Sequence, residues 1–415
     1  MMLVTTKTSL MMRKIMKYTY VMGLRGIWIE DNIVQWPDII VRAHKCLAEL
    51  LNFAVYVFIV LEYGSFFTQT NLNEQQKFDR LVNVIGHPLL YGNYVIISHR
   101  EDEVKQLIAK LVIRIEKTYN NEDVEKMMLR KIQIYVGALS CGVCMAVFMI
   151  GWDGLLRVIA ESKYGTFTIA VTAWPDVHDT SHCAGVARVV FYVITIVFAL
   201  RVLGVLMVAV VVIICTSHQY TQLHSYFRGL SNIFQNEGSQ QEKEGRYEEA
   251  LKIGIKLHNE TINNTKELER IFSAACGLQI IVNVIVLAVL MIQMTNSNRT
   301  FTKVASIAGI SMGLLTTTGL FMWTLGDLTV EASDLATGIF FSGWENCQGR
   351  ASLRVRKLVI RAMVQAQKPI VVRTLAFITV SYASFVSVSV YNNNRLMVSG
   401  RKKCKDALQP TGCVY

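Results

Sequence analysis

Residues 186–215 read V-A-R-V-V-F-Y-V-I-T-I-V-F-A-L-R-V-L-G-V-L-M-V-A-V-V-V-I-I-C, with Arg201 as the charge in the interior of the run. A soluble helix needs one apolar stripe, and this stretch is apolar on every side. As a helix it would measure about 45 Å at 1.5 Å per residue. The hydrocarbon core of a bilayer is roughly 30 Å thick, so such a helix must tilt or protrude. The 415-residue chain is 52% hydrophobic and 18% charged, against roughly 25% charged in an average soluble protein. So much apolar side chain with so little charge excludes a disordered polypeptide, and the length of the runs excludes a string of soluble domains.

Working outward, seven spans emerge: Lys45–Tyr63, Leu81–Ser98, Ile132–Gly151, Val186–Cys215, Phe272–Ile292, Val304–Gly326 and Val371–Tyr391. The second is the least apolar, carrying Asn83, His87, Pro88 and Asn93. Polar groups at that depth face a bundle interior or a cavity. The expected fold is an all-α, polytopic membrane protein, a seven-transmembrane helical bundle with an intracellular N-terminus.

Lysine and arginine set that orientation. Residues 1–45, 99–131, 216–271 and 327–370 together hold 28 of them, and the alternate segments 64–80, 152–185 and 293–303 hold six. Positive loops stay cytoplasmic, so the N-terminus is expected inside and the C-terminus outside. The net charge of +11 is therefore a matter of topology and gives no reason to expect nucleic acid. G-protein-coupled receptors thread the opposite way, and their D-R-Y and N-P-x-x-Y signatures are absent. Five basic residues in 392–415 (Arg395, Arg401, Lys402, Lys403, Lys405) fall on the expected outside and go against the rule. Met1–Tyr20 has no uninterrupted apolar core, so no cleaved signal peptide is expected.

The nine cysteines are scattered, with several inside apolar runs, which does not suit a disulfide framework. Cys141 and Cys144 lack a second ligand pair for zinc, so they read as small packing residues. No metal or cofactor is expected. No phosphate loop or H-E-x-x-H occurs and no nucleophile elbow is expected, so no enzyme is expected either. Residues 99–131 and 240–270 read as helical extensions of the spans into the cytoplasm, and His258 in the second has no metal-ligating neighbours. Trp344–Lys368 reads as an amphipathic helix with Arg350, Arg354, Lys357 and Arg361 on one face and Leu353, Leu358, Val359, Ala362, Met363 and Ala366 on the other. Its basic face suits anionic lipid or another subunit equally well. Pro369 should end it at Lys368.

The run from Leu358 to Ile370, L-V-I-R-A-M-V-Q-A-Q-K-P-I, resembles the most recognisable stretch of the insect odorant receptors, which leads into their last span. Gly326-Asp327-Leu328 followed by Ser333, Ala336, Phe340 and Trp344 resembles the segment upstream of it. Leu257-His258, Leu268 to Phe272 and Leu278-Gln279 resemble the helix entering the fifth span. His218, Gln222 and Leu223 resemble the end of the fourth, and Gly23, Gly26 and Trp28 fit the family's N-terminal region. The resemblance covers nearly the whole chain. It implies a ligand-gated, non-selective cation channel of four subunits, including an obligate co-receptor, in the plasma membrane of olfactory sensory neuron dendrites. It further implies a volatile odorant held among spans two, three, four and six in the outer half of the membrane. Subunit contacts would lie at 327–370, at Trp344, Leu358, Met363, Gln367 and Pro369. The last span, 371–391, would line the pore. The chain follows the family's end through Val388, then departs from it with a polar, basic tail at 392–415 that reads as an altered final exon.

With that topology, the outer-half candidates for ligand contact are His87, Tyr91, Phe148, Trp152, Tyr192, Thr195, Phe198, Arg201 and Met312. Each aromatic could instead be bundle packing or part of an interfacial belt. Arg201 either snorkels to the outer headgroups or is a polar contact in the ligand cavity. In the last span Phe377, Val380, Ser384, Val388 and Tyr391 share a helical face, and Val380, Ser384, Val388 and Tyr391 are the pore candidates. Asn298-Arg299-Thr300 is a glycosylation sequon on the expected outside. Two alternatives are a gustatory receptor, whose T-Y-x-x-x-x-x-Q-F pattern is missing, and a secondary transporter, whose internal repeat is not found.

Overall fold

The structure is a computed structural model that describes residues 6–24, 36–113, 119–160, 166–296, 301–349, 352–374 and 378–379. Its helices among those residues are α1 (Lys7–Val21), α2 (Asp38–Thr68), α3 (Glu74–His99), α4 (Glu101–Ile113), α5 (Glu122–Ala160), α6 (His182–Gly229), α7 (Gln240–Asn296), α8 (Phe301–Phe340) and α9 (Ser352–Ala366). Several start where a polar side chain takes up an orphaned backbone donor. Asn73 opens α3 with a reciprocal pair: it accepts from the Gln76 N–H at 2.8 Å, and Gln76 accepts from the Asn73 N–H at 2.9 Å. Thr6 and Ser181 cap α1 and α6 one way only, their hydroxyls accepting from the Ser9 and Ala184 N–H.

The run that is apolar on every side becomes the axis of the molecule. From Arg201 to Ser217 every residue of α6 is buried, in a helix that packs against α1, α2, α3, α5, α7 and α8. The opposite behaviour marks α2, whose Leu50, Phe53 and Phe67 point out of the bundle. A broad apolar surface of this kind belongs against lipid. Between α5 and α8 the backbones come close: a Cβ built on Gly313 would stand 2.8 Å from the carbonyl oxygen of Gly142. Small residues permit such approaches between membrane helices.

Among the described residues five helices, α2, α5, α6, α7 and α8, are long and apolar enough to cross a membrane. The chain is a polytopic, all-α membrane protein. α3 holds the second expected span and is the more polar helix, as the sequence indicates. α7, with 57 residues, is about 85 Å long and must project far beyond the bilayer, which accounts for the expected extension over 240–270. Over 99–131, α4 follows α3 and ends at Ile113, and α5, which carries the third expected span, starts at Glu122. α8 runs unbroken through 326–327 to Phe340.

The helix expected over Trp344–Lys368 is shorter: Trp344–Asn346 forms a separate 3-10 turn, α9 starts at Ser352, and it ends at Ala366, where Pro369 predicts the break. Beyond the proline the structure departs from the expected seventh span. Val371 does not open a helix; Arg373–Thr374 pairs antiparallel with Ile378–Thr379. Ile370, Val371, Val372 and Thr374 are all β-branched, which lowers helix propensity and suits extended backbone, and the proline has already interrupted the helical ladder. The remainder of the expected last span, with the pore candidates Val380, Ser384, Val388 and Tyr391, lies outside the described residues. So do Asn298 and the tail 392–415. No disulfide joins the described cysteines.

Candidate ligand-binding site

A cavity of about 110 Å³ opens where the N-terminal half of α3, the end of α5, the start of α6, the end of α7 and the start of α8 converge. Each helix contributes in turn: Asp79, Asn83 and His87 from α3, Ile150 and Asp153 from α5, Thr195 from α6, Leu290 and Gln293 from α7, and Ser306, Ile307 and Ile310 from α8. The connector between α5 and α6 closes the top with Thr168, Ile169 and Ala170. It is held down by the Ala173 N–H donating to the Leu61 carbonyl at 2.7 Å and the Thr68 hydroxyl donating to the Ala173 carbonyl at 2.9 Å. Arg188 of α6 grips it from the other side, donating to the carbonyls of Asp176 and Asp179 at 2.7 and 2.8 Å.

One edge of the cavity is built around an acid in an apolar helix. Glu62 of α2 is 0% exposed. Both its carboxylate oxygens lie within 2.9 Å of His87 Nδ1. The imidazole is boxed by rings, Phe58 at 5.8 Å and Phe198 at 5.5 Å edge-on, with Phe191 against Phe58 at 5.4 Å. At the other end the Gln293 amide donates to Asp79 at 3.1 Å, tying α7 to α3. The wall is mixed: apolar surface from the Val, Ile and Leu side chains, and polar or charged side chains at more than half of the lining positions, a more polar lining than most small-molecule sites carry. A single water needs about 10–15 Å³ of such space, so the cavity has room for a small molecule.

The sequence-derived candidates divide sharply. His87 and Thr195 line the cavity, and Phe198 stands directly behind His87. Tyr91 sits one turn along α3, half-buried, with Tyr94 at 6.2 Å. Tyr192 is turned toward α5, donating to the Val147 carbonyl at 3.3 Å and meeting Phe167 of the connector edge-on. Phe148 and Trp152 stack on each other on the outside of α5, 57% and 47% exposed, and Met312 on α8 is 67% exposed. None of these three reaches the cavity, because the helical face carrying them points away from the bundle. Arg201 is 2% exposed and lies outside the lining: it donates to the Ala48 carbonyl at 2.7 Å and to the Asn52 side chain. It does not snorkel, because α2 supplies acceptors within its reach.

Glu62, Asp79, Asp153 and Gln293 escape the sequence reading. For Glu62 there is a signal, a carboxylate inside the first apolar run, which is costly enough in a membrane to mark a functional position. The others sit in stretches that read as span ends or loops.

The contact candidates near α9 also divide. Leu358 and Met363 pack on the chain's own core, Trp344 donates to the Phe340 carbonyl at 3.0 Å, and Gln367 and Pro369 are exposed. The apolar residues that α9 leaves uncovered are Leu353, Ile360 and Val364.

Comparison with known proteins agrees with this architecture. A family model described as 7tm odorant receptor matches residues 79–390. The fold is similar to the solved structure of the insect olfactory receptor OR5 from Machilis hrabei, with a TM-score of 0.73 at 12% identity, over 94% of this chain and 98% of that one. The same receptor in complex with eugenol gives a TM-score of 0.73 at 11% identity, over 95% and 100%. A search of curated proteins found no significant match. With a family match over well more than half its length, the chain belongs to the 7tm odorant receptor family.

Proposed function

We propose that the chain is the ligand-binding subunit of an odorant-gated, non-selective cation channel in the plasma membrane, assembled with a co-receptor subunit as a heterotetramer. The observation that carries this is the cavity itself: a partly open, partly apolar space between five helices, in a fold shared with an olfactory receptor solved in complex with eugenol. The lysine and arginine distribution supports a cytoplasmic N-terminus, which puts the cavity in the outer half of the membrane, open to volatiles arriving from outside. The exposed stripe of Leu353, Ile360 and Val364 on α9 supports a subunit contact there. Asp79, Asn83, His87, Ile150, Thr195 and Ile310 are the ligand-contacting residues in this reading.

Whole-cell recording from cells co-expressing the chain and a co-receptor, challenged with a panel of small volatiles, tests it. Inward current that needs both subunits and appears with at least one volatile is expected. Uptake of a compound without conductance, or silence across the panel in cells that carry both subunits at the surface, would contradict it.

A further inference from the structure

Glu62 is buried without exposure, and His87 is its carboxylate's only hydrogen-bond partner among the described residues. An isolated negative charge in such surroundings is heavily penalised, and a net-neutral pair is favoured. Two neutral arrangements exist. In one, an imidazolium faces a carboxylate; in the other, a carboxylic acid donates to the unprotonated Nδ1 of a neutral imidazole. The ring's second nitrogen, Nε2, carries a proton in both. Nε2 has no hydrogen-bond partner among the described residues and is not among the chain's buried unsatisfied atoms. With Nδ1 turned to Glu62, the edge bearing Nε2 is left to the cavity that His87 lines. Elsewhere on the wall, the Thr195 hydroxyl is already spent on the Phe191 carbonyl at 2.9 Å.

We infer that Glu62 locks His87 as a hydrogen-bond donor to the bound ligand, so that the ligand class is a small oxygenated molecule presenting an acceptor oxygen (a ketone, aldehyde or ester). The inference rests on the reading of this cavity as the odorant site. A hydrocarbon leaves the donor unpaired, and a protonated amine offers it no acceptor. His87 touches ligand; Glu62 is a positioning residue that acts through it.

The test is recording from the chain with its co-receptor, using a panel of ketones, aldehydes and esters of five to ten non-hydrogen atoms, each with its isosteric alkene and amine. The wild type should respond to oxygenated members at roughly tenfold lower concentration than to their alkenes, the worth of one hydrogen bond. His87→Leu should collapse that ratio while the alkene responses persist, which shows that the variant folds. His87→Gln, which retains a donor, should keep part of it. Glu62→Leu should shrink the ratio without abolishing maximal current. Alkenes or amines as potent as the oxygenated members, or a ratio unchanged by His87→Leu, would overturn the inference while leaving the odorant reading intact. A wild type silent to every member would overturn both.

Discussion

Arg201, at the centre of α6, donates to the backbone carbonyl of Ala48 on α2 at 2.7 Å. The side chain of Asn52 takes a second bond, and the guanidinium lies 5.5 Å from the Tyr94 ring. The one charge in the interior of the most apolar stretch is thus a clasp between α2, α3 and α6, made through the two terminal guanidinium nitrogens while Nε is buried without a hydrogen bond. Arg201→Met would leave the Ala48 and Asn52 oxygens without their donor, costing about 2–3 kcal/mol for bonds to a charged group. The expected outcome is a lower melting temperature in detergent and less protein at the surface, with ligand potency within about twofold of wild type. Unchanged melting with a shifted dose–response would contradict this.

The approach of α5 to α8 depends on the absence of side chains. Gly313→Val should force the helices apart at Gly142, since even a Cβ would stand 2.8 Å from that carbonyl. Overpacking of this kind costs about 1–3 kcal/mol. Size-exclusion profiles and melting of the purified variant should show it, whereas Gly92→Ala, where a Cβ meets nothing within 4 Å, should be silent.

His258 lies in the part of α7 beyond its apolar segment, and burial pushes its imidazole down to about 4 from the ordinary 6.5. The folded state therefore holds it neutral while an unfolded chain protonates it below about pH 6.5, so the unfolded state binds more protons between pH 6.5 and 4. Stability should fall across that window on acidification, by about 2 kcal/mol at pH 5. His258→Gln should flatten this part of the pH–melting curve; an identical slope in both proteins would refute the assignment.

α9 offers a surface for assembly. Ile360 and Val364 are exposed, so replacing both with Glu should leave folding intact and reduce recovery of the co-receptor on affinity capture by several-fold. Equal recovery, with full surface expression, would place the subunit contact elsewhere.

Much of this architecture is legible in the sequence because membrane spans are written in long, charge-poor runs, and the stop after α9 is written in one proline. The second span's Asn83, His87 and Asn93 announce a helix facing a cavity or bundle interior, and Asn83 and His87 do line the cavity. Hydropathy conceals which face of an apolar helix looks inward, since lipid and core accept the same side chains. That is why sequence alone groups Phe148, Trp152 and Met312 with His87 although they point outward. The carboxylate of Glu62 is visible in its apolar run, but its role is hidden because it depends on an imidazole 25 positions away. The paired strands Arg373–Thr374 and Ile378–Thr379 are hidden because the β-branched residues that favour extended backbone also raise hydropathy.

The most direct test of the central claim is an electron cryomicroscopy map of the assembled channel with an activating volatile. The account requires new density bounded by His87, Thr195 and Ile310, beneath the Thr168–Ala170 segment. A map with the volatile bound on the lipid-facing side, near Phe148 and Trp152, and an unchanged cavity would contradict it.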